Sequence, residues 1–310
     1  LDILALCPQT PNGYNAGGGP ARAFFVLKAL AQQHRLHLIV LDDPASAPLP
    51  EELRLLCASV FWPSPDWRAG RVSASGSRLR NALAALARLL LFWRARPDQL
   101  LTTAEINCVE RPEAAASGRD RASLPIRLGH AAYGWLLLAI VALRTVLFGL
   151  RPARGAERLP MFLTVLPQLR RELSDTPIHV VWVEHTYLFP EARVLLGLFP
   201  GADLAADSHN VEHELHRRCR RLLRSVLARC WYSLQAWAIR REETRGYSAC
   251  RFIACCSEDD AHLIRVLAPA APAAFVTPNG VDTAFYAPGR TEDAEPSVLY
   301  TGGFGYLPNQ

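Results

Sequence analysis

The chain has 310 residues, half of them hydrophobic and a fifth charged, with a formal net charge of +5. That length holds one large domain or two ordinary ones, and the balance excludes a disordered or fibrous chain. Eight cysteines (7, 57, 108, 219, 230, 250, 255 and 256) form no CxxC pair, which argues for buried thiols in a reducing compartment and against a disulfide scaffold or zinc site.

The chain begins at Leu1, inside what reads as a first strand, and stops inside a new βα unit, so both ends read as cut. Asp2-Ile3-Leu4-Ala5-Leu6 is a short apolar run, followed by a turn-rich loop through Gly19 and a helix with Pro20 as its first residue. Leu36-His37-Leu38-Ile39-Val40-Leu41 and Ser59-Val60-Phe61-Trp62 read as the second and third strands. Ile178-His179-Val180-Val181-Trp182-Val183 and Asp203-Leu204-Ala205-Ala206-Asp207 follow, then one long helix over residues 211–247. Arg251-Phe252-Ile253-Ala254-Cys255-Cys256 leads into Ser257-Glu258-Asp259-Asp260, a capping-box start of a helix. Ala274-Phe275-Val276-Thr277 is the last strand before a tight turn at Asn279-Gly280. Apolar strands without alternation, separated by helices, are the pattern of a parallel sheet covered on both faces. The expected fold is α/β, a doubly wound parallel sheet over residues 1–281. A linker at 282–296 and the first strand of a second α/β domain at 297–310 complete the expected organisation.

Residues 97–160 break the alternation and read as a helical excursion. Within them, 131–150 is almost wholly apolar, with Arg144 its only charge. A run of about 20 residues is long enough to span a bilayer. A central arginine, costing about 2.5–3.5 kcal/mol there, and flanking strands that must share one sheet favour a core or membrane-surface helix. Basic residues come in blocks: seven Arg and no acid over 67–97, and nine Arg against four Glu over 210–247. Such blocks are either solvated helix faces or attract phosphate. Without a nucleic-acid motif, anionic lipid or nucleotide is the expected partner and nucleic acid is not. The basic, leucine-rich helix of residues 79–96 adds to the membrane-surface reading, so the expected location is cytoplasmic, at the inner membrane face.

Three places carry candidate chemistry. Gly17-Gly18-Gly19, with Pro20 and Arg22, lies between the first strand and helix, where backbone N–H groups can approach a phosphate. The same residues also make an ordinary flexible turn. Asp207-Ser208-His209-Asn210-Val211-Glu212 sits at the carboxyl end of a parallel strand, where open α/β sheets bind ligands. His209 suits a sugar hydroxyl or a phosphate oxygen, while Ser208 or Asn210 as a cap, with Glu212 in the first turn, is the structural alternative. His185, ending the neighbouring strand, can face the same cleft, although a lone strand-end histidine is more often structural. Cys255 and Cys256 lie in an apolar strand that disfavours a thiolate, so Cys–His catalysis is not expected. No DxD motif is present, and a metal-dependent mechanism is not expected. Glu242 and Glu243, among Arg240, Arg241 and Arg245, read as intrahelical ion pairs.

As an ordered set these pieces resemble the retaining GT-B glycosyltransferases of the glycogen-synthase-like family four, especially bacterial sugar transferases of exopolysaccharide clusters. The residues that carry the resemblance are the 17–19 loop, Asp207-x-His209-Asn210-x-Glu212 and Cys256-Ser257-Glu258-x-Asp260. Pro278-Asn279-Gly280-Val281-Asp282 with Phe285 and Pro288 continues it, then Thr301-Gly302-Gly303 with Tyr306-x-Pro308-Asn309. The resemblance implies an NDP-sugar donor as substrate, no cofactor and no metal, and a lipid-linked or cell-envelope glycan acceptor. It places Gly18 and Gly19 beside the donor diphosphate, His209 at the transferred sugar, Asn279-Gly280 near a hinge, and Gly302-Gly303 at the donor site. The family's basic pair and paired glutamates would lie beyond Gln310, and the loop after Thr301 lacks the arginine many relatives carry. A GT-B-type nucleotide-sugar epimerase, and an inactive fragment or binding module, are the alternatives.

Overall fold

The computed structural model describes residues 1–14, 17–45, 47–64, 153–283 and 285–286. Seven strands form one all-parallel sheet: β1 (Asp2–Cys7), β2 (Arg35–Val40), β3 (Ser59–Phe61), β4 (Val180–Glu184), β5 (Asp203–Ser208), β6 (Cys250–Cys255) and β7 (Phe275–Val276). Their order is β3-β2-β1-β4-β5-β6-β7. The seven expected strands are present, each within about two residues of its predicted ends. Helices α1 (Gly18–Gln33) and α2 (Glu51–Leu56) link the first three strands, and α3 (Ala153–Glu172) leads into β4. A short 3-10 turn (Thr186–Leu188) and α4 (Phe189–Leu198) follow β4; α5 (Glu212–Leu222), α6 (Val226–Ala249) and α7 (Glu258–Leu267) connect the rest.

The strands lack alternation because both faces are covered. Ile3, Ala5 and Cys7 of β1 pack with Leu36, Leu38 and Val40 against Phe24 and Leu27 of α1 and Leu53 of α2. Leu4 and Leu6, on the opposite face, join Val181 and Val183 and the α3 and α4 side chains Phe162, Val165, Phe189 and Leu195. The fold is thus a doubly wound, Rossmann-like α/β sheet. The chain builds outward from β1 to β3 and then returns to place β4 on the other side of β1. That reversal makes β1 and β4 a topological switch point, and the carboxyl ends of strands at such a point are where these sheets receive ligands.

One packing contact is fixed by the lack of a side chain. A Cβ added to Gly246 of α6 would lie 2.1 Å from the Phe189 ring of α4. Gly246→Ala therefore overpacks the α4–α6 contact and is expected to cost about 1–3 kcal/mol, read as a lower urea midpoint at unchanged slope.

Two expectations are corrected. The single helix over 211–247 is two, α5 and α6, broken where Leu223 turns extended and buries itself. Ser225 then caps α6 by accepting the Ala228 N–H at 3.3 Å. Residues 278–281 run without a regular turn, because the Asn279 side chain is drawn into contacts with Arg22 and Cys256. The chain turns instead just beyond, where Asp282 accepts the Tyr286 N–H through its carbonyl and the Phe285 N–H through its carboxylate.

Among the described residues, no helix is long and apolar enough to cross a membrane. The 79–96 helix, the apolar run 131–150 and residues 297–310, with Gly302 and Gly303, lie outside the described residues, as does most of the expected linker.

Candidate active site at the carboxyl ends of β4 and β5

The pairing of β4 with β5 puts Glu184 opposite Asp207, and both carboxylates are fully buried. Burying an ion costs several kcal/mol unless its lone pairs are met, and here each oxygen is met. The Trp182 indole N–H donates to Glu184 Oε1 at 2.7 Å, and His209 Nε2 donates to Oε2 at 2.8 Å. Arg22, in the first turns of α1, grips Asp207 bidentately, Nε to Oδ2 at 2.8 Å and Nη2 to Oδ1 at 2.7 Å. It also donates to the Thr277 carbonyl and hydroxyl, both at 2.6 Å, and to Asn279 Oδ1 at 3.1 Å. Those five bonds use all five guanidinium N–H groups.

Charge follows this geometry. Burial, then the neighbouring Glu184 carboxylate, push the Asp207 carboxyl above its usual range, against the pull of Arg22 and His209. Burial works against the Arg22 cation, but the bonds to Asp207 outweigh it and raise its pKa.

His209 Nε2 is committed to Glu184, with Asp207 Oδ2 at 3.5 Å. Its other nitrogen, Nδ1, is buried and has no hydrogen-bond partner among the described residues. That atom lies 3.5 Å from where a Cβ of Gly19 would sit, and His185 Nε2 lies 3.3 Å from the same point. Gly19 therefore lets the start of α1 close onto two imidazoles. Gly17 and Gly18 face open space, no side chain among the described residues caps the helix, and Pro20 has no N–H to offer. The first N–H groups of a helix have no acceptor within it. Gly19→Ala presses on both rings without opening a cavity, so it is expected to leave the urea midpoint near that of the parent while weakening any ligand held at this helix start, as calorimetry would measure.

His185 holds φ at +75°, the only positive φ at a non-glycine among the described residues. Such a backbone costs about 1–3 kcal/mol. It swings the ring to 3.9 Å from His209, against Tyr187 at 5.1 Å, with Nδ1 4.0 Å from Glu212.

The expected caps of α5 are not used. Ser208 Oγ pairs with the Tyr247 hydroxyl and donates to the Asn210 carbonyl, while Asn210 itself is exposed. Glu243, from α6, caps α5 instead, accepting the N–H groups of Glu212 at 2.8 Å and His213 at 3.2 Å. It also bonds the Thr186 hydroxyl and His213 Nδ1, so Glu243 makes no intrahelical ion pair; Glu242 pairs outward with Arg193 on α4.

Of the residues singled out from the sequence, the fold brings together Gly19, Arg22, His185, His209, Glu212 and Asn279. A Cβ added to Gly280, next to Asn279, would meet nothing within 4 Å. Glu184, missed from sequence, is the centre of the network; the signal was an acid ending a buried apolar strand. Glu184, Asp207 and His209 also present metal-ligand atoms within 4.8 Å of one another, although their oxygens are already occupied by Trp182, His209 and Arg22. The Cys256 thiol, beside the His209 carbonyl, is raised by burial to about 11 and stays protonated at neutral pH. A groove of about 580 Å³ lies at the opposite, amino end of the sheet, lined by Asp2, His34, Arg35 and Leu56; it holds none of this chemistry.

The fold and the buried carboxylate–imidazole–guanidinium network define a Rossmann-like α/β protein with a switch-point site. No family of known proteins matches the chain, and none of the curated proteins matches it.

Proposed function

We propose that the chain is the acceptor-side domain of a retaining glycosyltransferase that takes its sugar from an NDP-sugar. The observation that carries this reading is the uncapped, glycine-built start of α1 facing the unpartnered Nδ1 of His209. A helix N-terminus attracts anions through its N–H groups and dipole, which suits a diphosphate. A buried imidazole nitrogen beside it suits a hydroxyl of the transferred sugar. In the reaction, the bond from the anomeric carbon to the diphosphate breaks with its electron pair going to phosphate. The acceptor oxygen bonds the same face of that carbon, and its proton passes to a diphosphate oxygen. Stabilising the departing charge is an electrostatic task for fixed donors, and it requires no metal. Glu184 orients His209 through Nε2, and Arg22, its donors all used, positions rather than binds substrate. The acceptor of this reading is a lipid-linked or envelope glycan.

The test is to incubate the whole protein with a panel of NDP-sugars and glycolipid acceptors in the presence of EDTA. Sugar transferred with its anomeric configuration retained supports the proposal. A changed sugar formed without any acceptor would make the protein an epimerase, and no turnover of any NDP-sugar would leave a binding module.

A further inference from the structure

We propose that the tip and outer face of the α5–α6 hairpin are a docking surface for an anionic lipid bilayer. From Leu215 to Arg241 the sequence has eight arginines and no acidic residue. The charges of Arg217 and Arg218 are met by Glu214, whose carboxyl they pull down to about 2. Of the hairpin's other carboxylates, Glu212 is buried, Glu242 turns to Arg193 and Glu243 to His213. Arg220, Arg221 and Arg224 at the tip, and Arg240 and Arg241 further along, are exposed and form no ion pair among the described residues.

Between these cations stand large apolar groups in water. Leu222 is 49%, Val226 71% and Trp237 51% exposed. Val226, Cys230 and Trp237 follow each other at spacings of four and seven, so they share one side of α6. Single exposed apolar residues are ordinary, but here three lie on a basic stretch, residues 215–241, that carries no acid. Guanidinium groups pair with lipid phosphates while leucine, valine and tryptophan enter the headgroup boundary. A nucleic acid would satisfy the arginines and leave the aliphatic side chains without a role, so the bilayer is the better match.

The hairpin also points the right way. Helix α5 leaves the carboxyl end of β5, and α6 returns to the amino end of β6. Their junction therefore projects beyond the carboxyl ends of the strands, by about 16 Å for an 11-residue helix. That is the end that carries the Glu184–His209 network. Docking at the tip would hold the site open towards a lipid surface. The surface stands apart from the proposed reaction, and its test does not use activity.

Flotation of the whole protein with vesicles decides it, using phosphatidylcholine alone or with phosphatidylglycerol at about 0.1 M salt, where exposed charges still act over about 10 Å. The expected result is binding at least about tenfold stronger to the anionic vesicles. The variant Arg220→Glu/Arg221→Glu/Arg224→Glu and the variant Leu222→Asp/Val226→Asp should each lose about tenfold or more while keeping the parent's thermal melt. The proposal fails if the parent does not float with anionic vesicles. It fails equally if the arginine variant floats as well as the parent, since another segment then carries binding. Loss in the arginine variant alone, with the apolar variant unaffected and single-stranded RNA bound as tightly, would replace the bilayer with a polyanion.

Discussion

Replacing His209 by alanine is expected to lower the kcat/KM of NDP-sugar turnover by about 10- to 150-fold. The figure follows from one hydrogen bond at a charged or desolvated site, about 1.5–3 kcal/mol, at about 1.4 kcal/mol per factor of ten. Nδ1 is the only nitrogen of this ring not already engaged, since Nε2 is held by Glu184. Alanine also releases Glu184 from its partner, so the measurement pairs with Glu184→Gln, which keeps the shape and a weaker bond to Nε2. The glutamine variant should lose less, with its effect in kcat more than in KM. A folded His209→Ala protein with parental turnover would remove His209 from the site.

Arg22→Ala is expected to be the most destabilising single change in the network, at about 3–5 kcal/mol, because it leaves a buried carboxylate without its cation. Both Asp207 oxygens, the Thr277 carbonyl and hydroxyl, and Asn279 Oδ1 lose a donor together. Arg22→Lys recovers part of this at most, since three ammonium protons on a point charge cannot replace a planar fork. The deficit carries a pH signature. Asp207 already sits above its ordinary range in the folded protein, and removing Arg22 raises it further, while the unfolded chain ionises near 3.9. The folded state then binds more protons than the unfolded one through that window, so stability falls as pH rises across it. The variant's loss should therefore be full at neutral pH and shrink as pH is lowered towards about 4. Urea midpoints at two pH values measure it; a deficit independent of pH would place the cost in packing.

The sheet was legible because buried parallel strands must be apolar on both sides, as the inner runs from β2 to β6 are. The site was legible only where residues are close in sequence. His209 stands out at a strand end, and Gly17 to Gly19 at a helix start. Glu184 became visible once the β4–β5 register set it against Asp207. Glu243 misled because its basic neighbours are local, while the backbone N–H groups it accepts belong to residues 30 and 31 positions earlier. The break at Leu223 to Ser225 hid inside an arginine run that would suit a continuous helix, and burial of one leucine decided otherwise.

The reach of Arg22 has a consequence for how the molecule assembles. It joins the first βα unit to residues 255 and 257 positions later, just past the final strand. Contacts of such separation form only after the intervening chain has been ordered. A nascent or locally opened domain in which β7 has not docked cannot saturate the guanidinium. The Thr277 and Asn279 bonds that hold the guanidinium in place beside Asp207 are then missing. Ligand affinity at this site would report whether the sheet is closed to its last strand, making binding a sensor of complete folding.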